Sequence, residues 1–179
     1  MRSRLSSCAR ISKSELSAPN TEYRIVVVLQ MKTYVYNLAD FQLIDCLDTC
    51  SNPRGLVALN TADHIAILAT LFLDKGYVRI RDFNKEQQGE VTMPVHDGMI
   101  GCMALNRDGT LLATAVEKGT IVRLWITGSH QPYMNLRRDM NADSTEIQDL
   151  SFSRSNNFLA LCGEMPEIFV YNIGRTAAS

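Results

Sequence analysis

The strongest constraint on this chain is an internal repeat of about 45 residues. Tyr34-Val35-Tyr36-Asn37, Arg79-Ile80-Arg81-Asp82, Arg123-Leu124-Trp125-Ile126 and Phe169-Val170-Tyr171-Asn172 align, and their third positions lie 45, 44 and 46 residues apart. A second landmark gives the same period. Leu59, Leu105 and Phe152, closing the segments Leu56–Leu59, Cys102–Leu105 and Asp149–Phe152, are separated by 46 and 47 residues. Within each unit the apolar runs are short and rich in β-branched and aromatic residues, as in Ile25–Leu29 and Thr33–Asn37. Turn signals separate them: Asn52-Pro53-Arg54-Gly55, Asp74-Lys75-Gly76, Asp97-Gly98, Asp108-Gly109 and Lys118-Gly119. No window carries a sustained helical stripe. A period near 45 with several strands per unit is the signature of a propeller blade.

The expected fold is therefore all-β: an incomplete WD40-like β-propeller of about four blades. The aromatic-then-polar pair of each repeat stands where WD repeats carry Trp-Asp. The propeller is expected over residues 23–174, the first blade lacking its innermost strand and the last its outermost. Residues 175–179 form a short tail. Residues 1–22 are expected as a flexible N-terminal tail, with Arg2, Arg4, Arg10 and Lys13 among serines; a transit peptide and a misassigned gene start are the other readings of that composition. Propellers of this class usually close with seven blades, so four leave an open arc with two uncovered faces unless another chain completes it.

Composition removes several classes of function. With Lys+Arg 18 against Asp+Glu 19, the net charge of −1 supplies no global field toward nucleic acid or an anionic membrane, so any anion recognition is local. Apolar residues at 46% exclude wholesale disorder, while the longest apolar run, Ile65–Leu73, is too short to cross a bilayer. Five dispersed cysteines without a CxxC do not form a disulfide framework and read as small buried hydrophobes. Cys46 and Cys50 have the spacing to clip a metal, but no second Cys/His pair lies nearby, so neither metal nor cofactor is expected. The three histidines fall in different repeats, and no nucleophile elbow or phosphate loop is present. No catalytic set emerges, and the chain is read as a non-enzyme.

The informative segment runs from His96 to Arg138. Thr114 to Thr120 ends one strand, turns and begins the next; Arg123 follows, and a further strand ends in Leu136-Arg137-Arg138. Guanidinium forks suit phosphate oxygens, with hydroxyls and turn amides completing an anion cradle. Consecutive arginines on a strand point to opposite faces, so this pair can serve two inter-blade pockets. A solvated rim pair is the bland alternative on residue types alone.

Here the chain resembles the PROPPIN family, also called WIPI proteins, the seven-bladed phosphoinositide-binding propellers of autophagy. The carrying residues are Arg24–Leu29, Tyr34–Leu38, Asn52–Leu56, Ala104–Asn106, Asp108–Thr114, Glu117-Lys118-Gly119-Thr120 and Leu136-Arg137-Arg138. The resemblance covers nearly everything from Tyr23 to Ile173 and implies blades three to five with most of blade six. It implies binding of phosphatidylinositol 3-phosphate and phosphatidylinositol 3,5-bisphosphate headgroups, with autophagy proteins as partners. The implied location is cytoplasmic, peripherally on preautophagosomal, endosomal or vacuolar membranes. Carried over by position, the headgroup residues are His96, Thr114, Lys118, Gly119, Thr120, Arg123 and Arg137, with Arg138 opening a second pocket. His96 equally fits a structural histidine before an inner strand, and Thr114 and Thr120 equally fit ordinary strand positions.

Three departures from the family pattern weigh on that implication. Asp139 places a carboxylate beside the arginines, and Val116 stands where the family has a hydroxyl. Gly163, Glu167 and Phe169 replace the polar set of the second pocket, which is expected to be inactive. A lipid-independent interaction scaffold and a truncated, non-functional product are the competing readings.

Overall fold

The computed structural model describes residues 8–11, 24–60, 67–85, 89–117, 119–137, 146–163 and 167–174. They form fifteen strands in four antiparallel sheets, each a meander in chain order. The first sheet holds β1 (Cys8–Ile11), β2 (Arg24–Val28), β3 (Lys32–Asn37) and β4 (Leu43–Asp48). The second holds β5 (Val57–Leu59), β6 (Ile67–Leu71), β7 (Tyr77–Asp82) and β8 (Glu90–Pro94). The third holds β9 (Ile100–Leu105), β10 (Leu111–Val116), β11 (Ile121–Ile126) and β12 (Gln131–Arg137). The fourth holds β13 (Ile147–Phe152), β14 (Phe158–Gly163) and β15 (Ile168–Asn172). There is no helix among the described residues.

The repeat landmarks occupy one register. Leu59 pairs with Leu68 and that with Arg81; Leu105, Leu112 and Trp125 follow the same ladder, as do Phe152, Leu159 and Tyr171. The hairpins joining the first two strands of each later sheet are closed alike. Asn60 Oδ1 accepts the Ile67 N–H at 2.7 Å, Asn106 Oδ1 the Leu111 N–H at 2.9 Å, and Ser153 Oγ the Phe158 N–H at 3.1 Å. A short polar side chain thus satisfies a backbone donor that the turn leaves unpaired.

Two expectations are corrected. Residues Cys8–Ile11, assigned to a tail, form β1 and pair with Ile25–Val28, so the first blade has its innermost strand. Its register carries the repeat, because Ile11 pairs with Ile25, and Ile25 with Tyr36. The cysteines are not uniformly buried either. Cys102 is buried, which pushes its thiol up to about 12, but Cys46 is exposed opposite Tyr34 on the outer face of the first sheet. Residues 175–179 lie outside the described residues.

Burial shows how the sheets stack. In β6 and β10 four consecutive residues, Leu68–Leu71 and Leu112–Ala115, are buried, because a blade lies on each face. In β2 and β14 burial alternates: Val26 and Val28, and Leu159 and Leu161, are covered, whereas Ile25, Val27, Ala160 and Cys162 are only partly so. These are the two end blades of an arc, each packed on one side. The cores lie between sheets, joining first to second, second to third and third to fourth. Arg54 ties the convergent inner ends together, donating from Nη1 to the Gly101 carbonyl at 3.4 Å and pairing through Nη2 with Glu146.

Candidate functional site

A cleft of about 570 Å³ opens between the second and third sheets, lined by His96, Asp97, Gly98, Met99, Val116, Glu117, Gly119, Thr120, Ile121 and Arg123. Pairing decides which arginines reach it. Arg123 pairs with Thr114 and Asn135, and Ile121 with Arg137, so Arg123 and Arg137 share one face of the third sheet. Leu136, one residue earlier, turns the other way and is buried against the fourth sheet. The Arg123 guanidinium is held at the cleft by Nη1 donating to the Val95 carbonyl at 2.8 Å. Arg137 is exposed at the end of β12, beside Ile121 at the rim.

His96 and Thr114 belong beneath the cleft. Thr114 is 0% exposed, and its hydroxyl lies 3.1 Å from His96 Nε2, accepts from Trp125 Nε1 at 3.2 Å and donates to the Arg123 carbonyl at 3.4 Å. A hydroxyl with three partners has no capacity left for a phosphate oxygen. Thr114, expected by position as a headgroup residue, has its hydroxyl engaged by these three partners and links the His96 and Trp125 rings to the strand that carries Arg123. His96 is 8% exposed, and burial holds its imidazole below the ordinary value, with the Arg123 charge acting in the same direction. The ring is neutral at pH 7 and lends the cleft no positive charge.

Gly76 seats this histidine. Its carbonyl accepts the N–H groups of Val95 and His96 at 2.9 and 3.1 Å, and it adopts φ +80°. A Cβ there would fall 1.8 Å from the His96 carbonyl oxygen, so only glycine fits. Sequence reasoning took Gly76 only as a turn marker and Trp125 only as a repeat landmark. Their shared link to His96 was invisible because the three lie in different strands and turns. Asp97 and Met99 were missed as lining residues; their position between β8 and β9 was the available signal.

The remaining assigned residues fall into place as follows. Gly119 and Thr120 line the cleft, Thr120 exposed at its mouth. Val116 also lines it, wedged so that a Cβ on Gly119 would meet its Cγ2 at 2.3 Å and one on Gly98 its Cγ1 at 3.4 Å. The side chain replacing a hydroxyl thus occupies the middle of the wall. Two acids also line the cleft: Asp97 is exposed, while Glu117 lies 3.9 Å from Arg54 Nε. Lys118, Arg138 and Asp139 lie outside the described residues. In the fourth sheet Phe169 packs into the apolar junction with the third, Gly163 ends β14, and Glu167 is exposed.

Comparison with known proteins gives a consistent picture. The PROPPIN family profile matches residues 6–179. Autophagy-related protein 18 of Dictyostelium discoideum is 28% identical over 160 residues, covering 88% of this chain and 42% of that protein. WD repeat domain phosphoinositide-interacting protein 1 of Xenopus laevis is 32% identical over 164 residues, covering 90% and 37%. Among solved structures, a complex of KlAtg21 with the coiled-coil of AgAtg16 is similar with a TM-score of 0.70 and 26% identity, over 86% of this chain and 50% of that one. The chain thus spans half or less of the proteins it resembles. Its four sheets are a corresponding part of a propeller.

Proposed function

This chain belongs to the PROPPIN family, and on that premise we propose that its cleft receives the phosphorylated inositol headgroup of phosphatidylinositol 3-phosphate or 3,5-bisphosphate. The protein then acts as a non-catalytic adaptor that recruits autophagy proteins to autophagic or endosomal membranes. The observation that carries this reading is the shared face of Arg123 and Arg137, with Thr120 and Gly119 across the turn. A guanidinium lining the cleft, a second on the same sheet face beside its rim and a hydroxyl at its mouth would supply the donor set that a phosphate monoester requires. Neutral His96 serves as a scaffold there. The second pocket contributes nothing in this reading, because an apolar ring and an acid stand where polar ligands would be needed. The coiled-coil bound to KlAtg21 makes an autophagy protein the natural class of partner.

The test is titration of a soluble inositol 1,3-bisphosphate headgroup, and of nanodiscs holding phosphatidylinositol 3-phosphate at fixed ionic strength. A charge-assisted hydrogen bond to phosphate contributes roughly 1.5–3 kcal/mol, so Arg123→Ala and Arg137→Ala should each weaken binding at least tenfold. Arg138→Ala should change it little. Binding that survives loss of both Arg123 and Arg137 removes the lipid reading and leaves the interaction scaffold.

A further inference from the structure

The charged groups around the cleft are sorted by side. Both walls belong to the second and third sheets, in the interior of the arc, and the third sheet runs outward in the order β9-β10-β11-β12. Its outer half carries the cations: Arg123 stands on β11, and Arg137 ends β12 beside Ile121 on the same face. The inner half carries the acids. Glu117 directly follows β10, its N–H donating to the Met99 carbonyl at 3.2 Å just before β9. Its carboxylate lies 3.9 Å from Nε of Arg54, which is itself bonded to the Gly101 carbonyl of β9. Asp97 lies in the connection that enters β9, next to His96, whose ring reaches Thr114 of β10. Burial keeps that ring neutral, so it offsets neither acid. Counting Lys118 by sequence alone, three cations stand against two carboxylates, an excess of one positive charge.

We propose that Asp97 and Glu117 make the cleft selective for a headgroup with one phosphate monoester, so that phosphatidylinositol 3-phosphate is preferred over the 3,5-bisphosphate. This inference rests on the headgroup reading given above. A phosphate held on the outer side by guanidinium groups leaves the rest of the inositol ring facing the inner side. Ring hydroxyls are donors, and a carboxylate accepts from them in a charge-assisted hydrogen bond. A second phosphate monoester brings only acceptors at neutral pH and a further charge of about −2, which meets carboxylates of the same sign. Val116 acts in the same direction, because the middle of the wall offers that second phosphate no hydroxyl. Specificity here comes from repulsion of the wrong ligand as much as from attraction of the right one.

The experiment titrates inositol 1,3-bisphosphate and inositol 1,3,5-trisphosphate into the full chain by calorimetry at pH 7.5 and fixed ionic strength. Asp97→Asn and Glu117→Gln are measured beside it, with far-UV circular dichroism to confirm that both stay folded. The unmodified chain should bind the bisphosphate roughly tenfold more tightly, the scale set by a dianion near carboxylates at a protein surface. Asp97→Asn should narrow that ratio about threefold or more, through tighter binding of the trisphosphate. Glu117→Gln should narrow it less, because Arg54 already offsets part of that charge. Raising the salt concentration should narrow it in the unmodified chain as well. Equal or tighter binding of the trisphosphate by the unmodified chain, or a ratio that neither acid variant changes, would overturn the selectivity and leave the headgroup reading standing. Failure of both headgroups to bind would instead overturn that reading, and this inference with it.

Discussion

Thr114→Val removes one hydroxyl while keeping the shape of the side chain. It leaves no cavity, because valine is nearly the same volume, so its cost comes from the partners it orphans. His96 Nε2 and Trp125 Nε1 both lose the oxygen they approach at 3.1 and 3.2 Å. His96 is almost wholly buried and has no water to turn to; Trp125 is half-buried and recovers part of its loss. An unsatisfied buried group costs about 1–3 kcal/mol, which puts the pair at about 2–4 kcal/mol. For a chain of this size that lowers the melting temperature by ~6–12 °C. Thr114→Ser, which keeps the oxygen and loses only a methyl, should recover most of the difference. The assay is urea unfolding and thermal melting of the three proteins, beside headgroup titration well below the transition. An unchanged melting temperature for Thr114→Val together with a tenfold loss of headgroup affinity would refute the linking role and favour direct contact of Thr114 with the headgroup.

Acid should loosen the same wall. The folded-state pKa of His96 is lowered below the unfolded value of about 6.5, so its stabilising contribution is complete above that value and is lost as pH falls through the depressed one. Urea midpoints measured at pH 7.5 and 5.0 should fall with acidification, and His96→Gln should flatten the part of the slope that this ring supplies. Val116→Ser should strengthen headgroup binding ~2–10-fold, the value of one added hydrogen bond at the centre of the cleft wall; weaker binding would mean that the apolar wedge shapes the cleft productively.

The blade period was legible because packing imposes it directly. Tyr36, Arg81, Trp125 and Tyr171 sit at one register position in four sheets, each paired with a branched aliphatic residue of the adjacent strand: Ile25, Leu68, Leu112 and Leu159. The missed strand shows where that legibility weakens. Cys8–Ile11 is only four residues long and lies among serines and arginines, yet Ile11 stands 48 residues before Leu59, close to the spacing of the later landmarks. Of the site, strand geometry alone assigned opposite faces to Arg137 and Arg138; Arg137 shares the face of Arg123, and Arg138 lies outside the described residues. The role of Thr114 was not legible in this way, because a hydroxyl two positions from a turn reads the same whether it faces a ligand or a tryptophan 11 residues away. Which face of a strand meets which neighbour is tertiary information, and only the folded sheet supplies it.

The double burial of β6 and β10 also sets a clock. Amides exchange with solvent through local openings, whose free energy follows how much packed surface each opening exposes. Opening either central strand separates two junctions at once, whereas β2 and β14 each have a single junction to lose. Deuterium should therefore enter from both ends of the arc inward, reaching Ala69 and Ala113 last. The cleft lies between those two slowest sheets, so its walls keep their relative positions through fluctuations that already unzip the rim of the molecule.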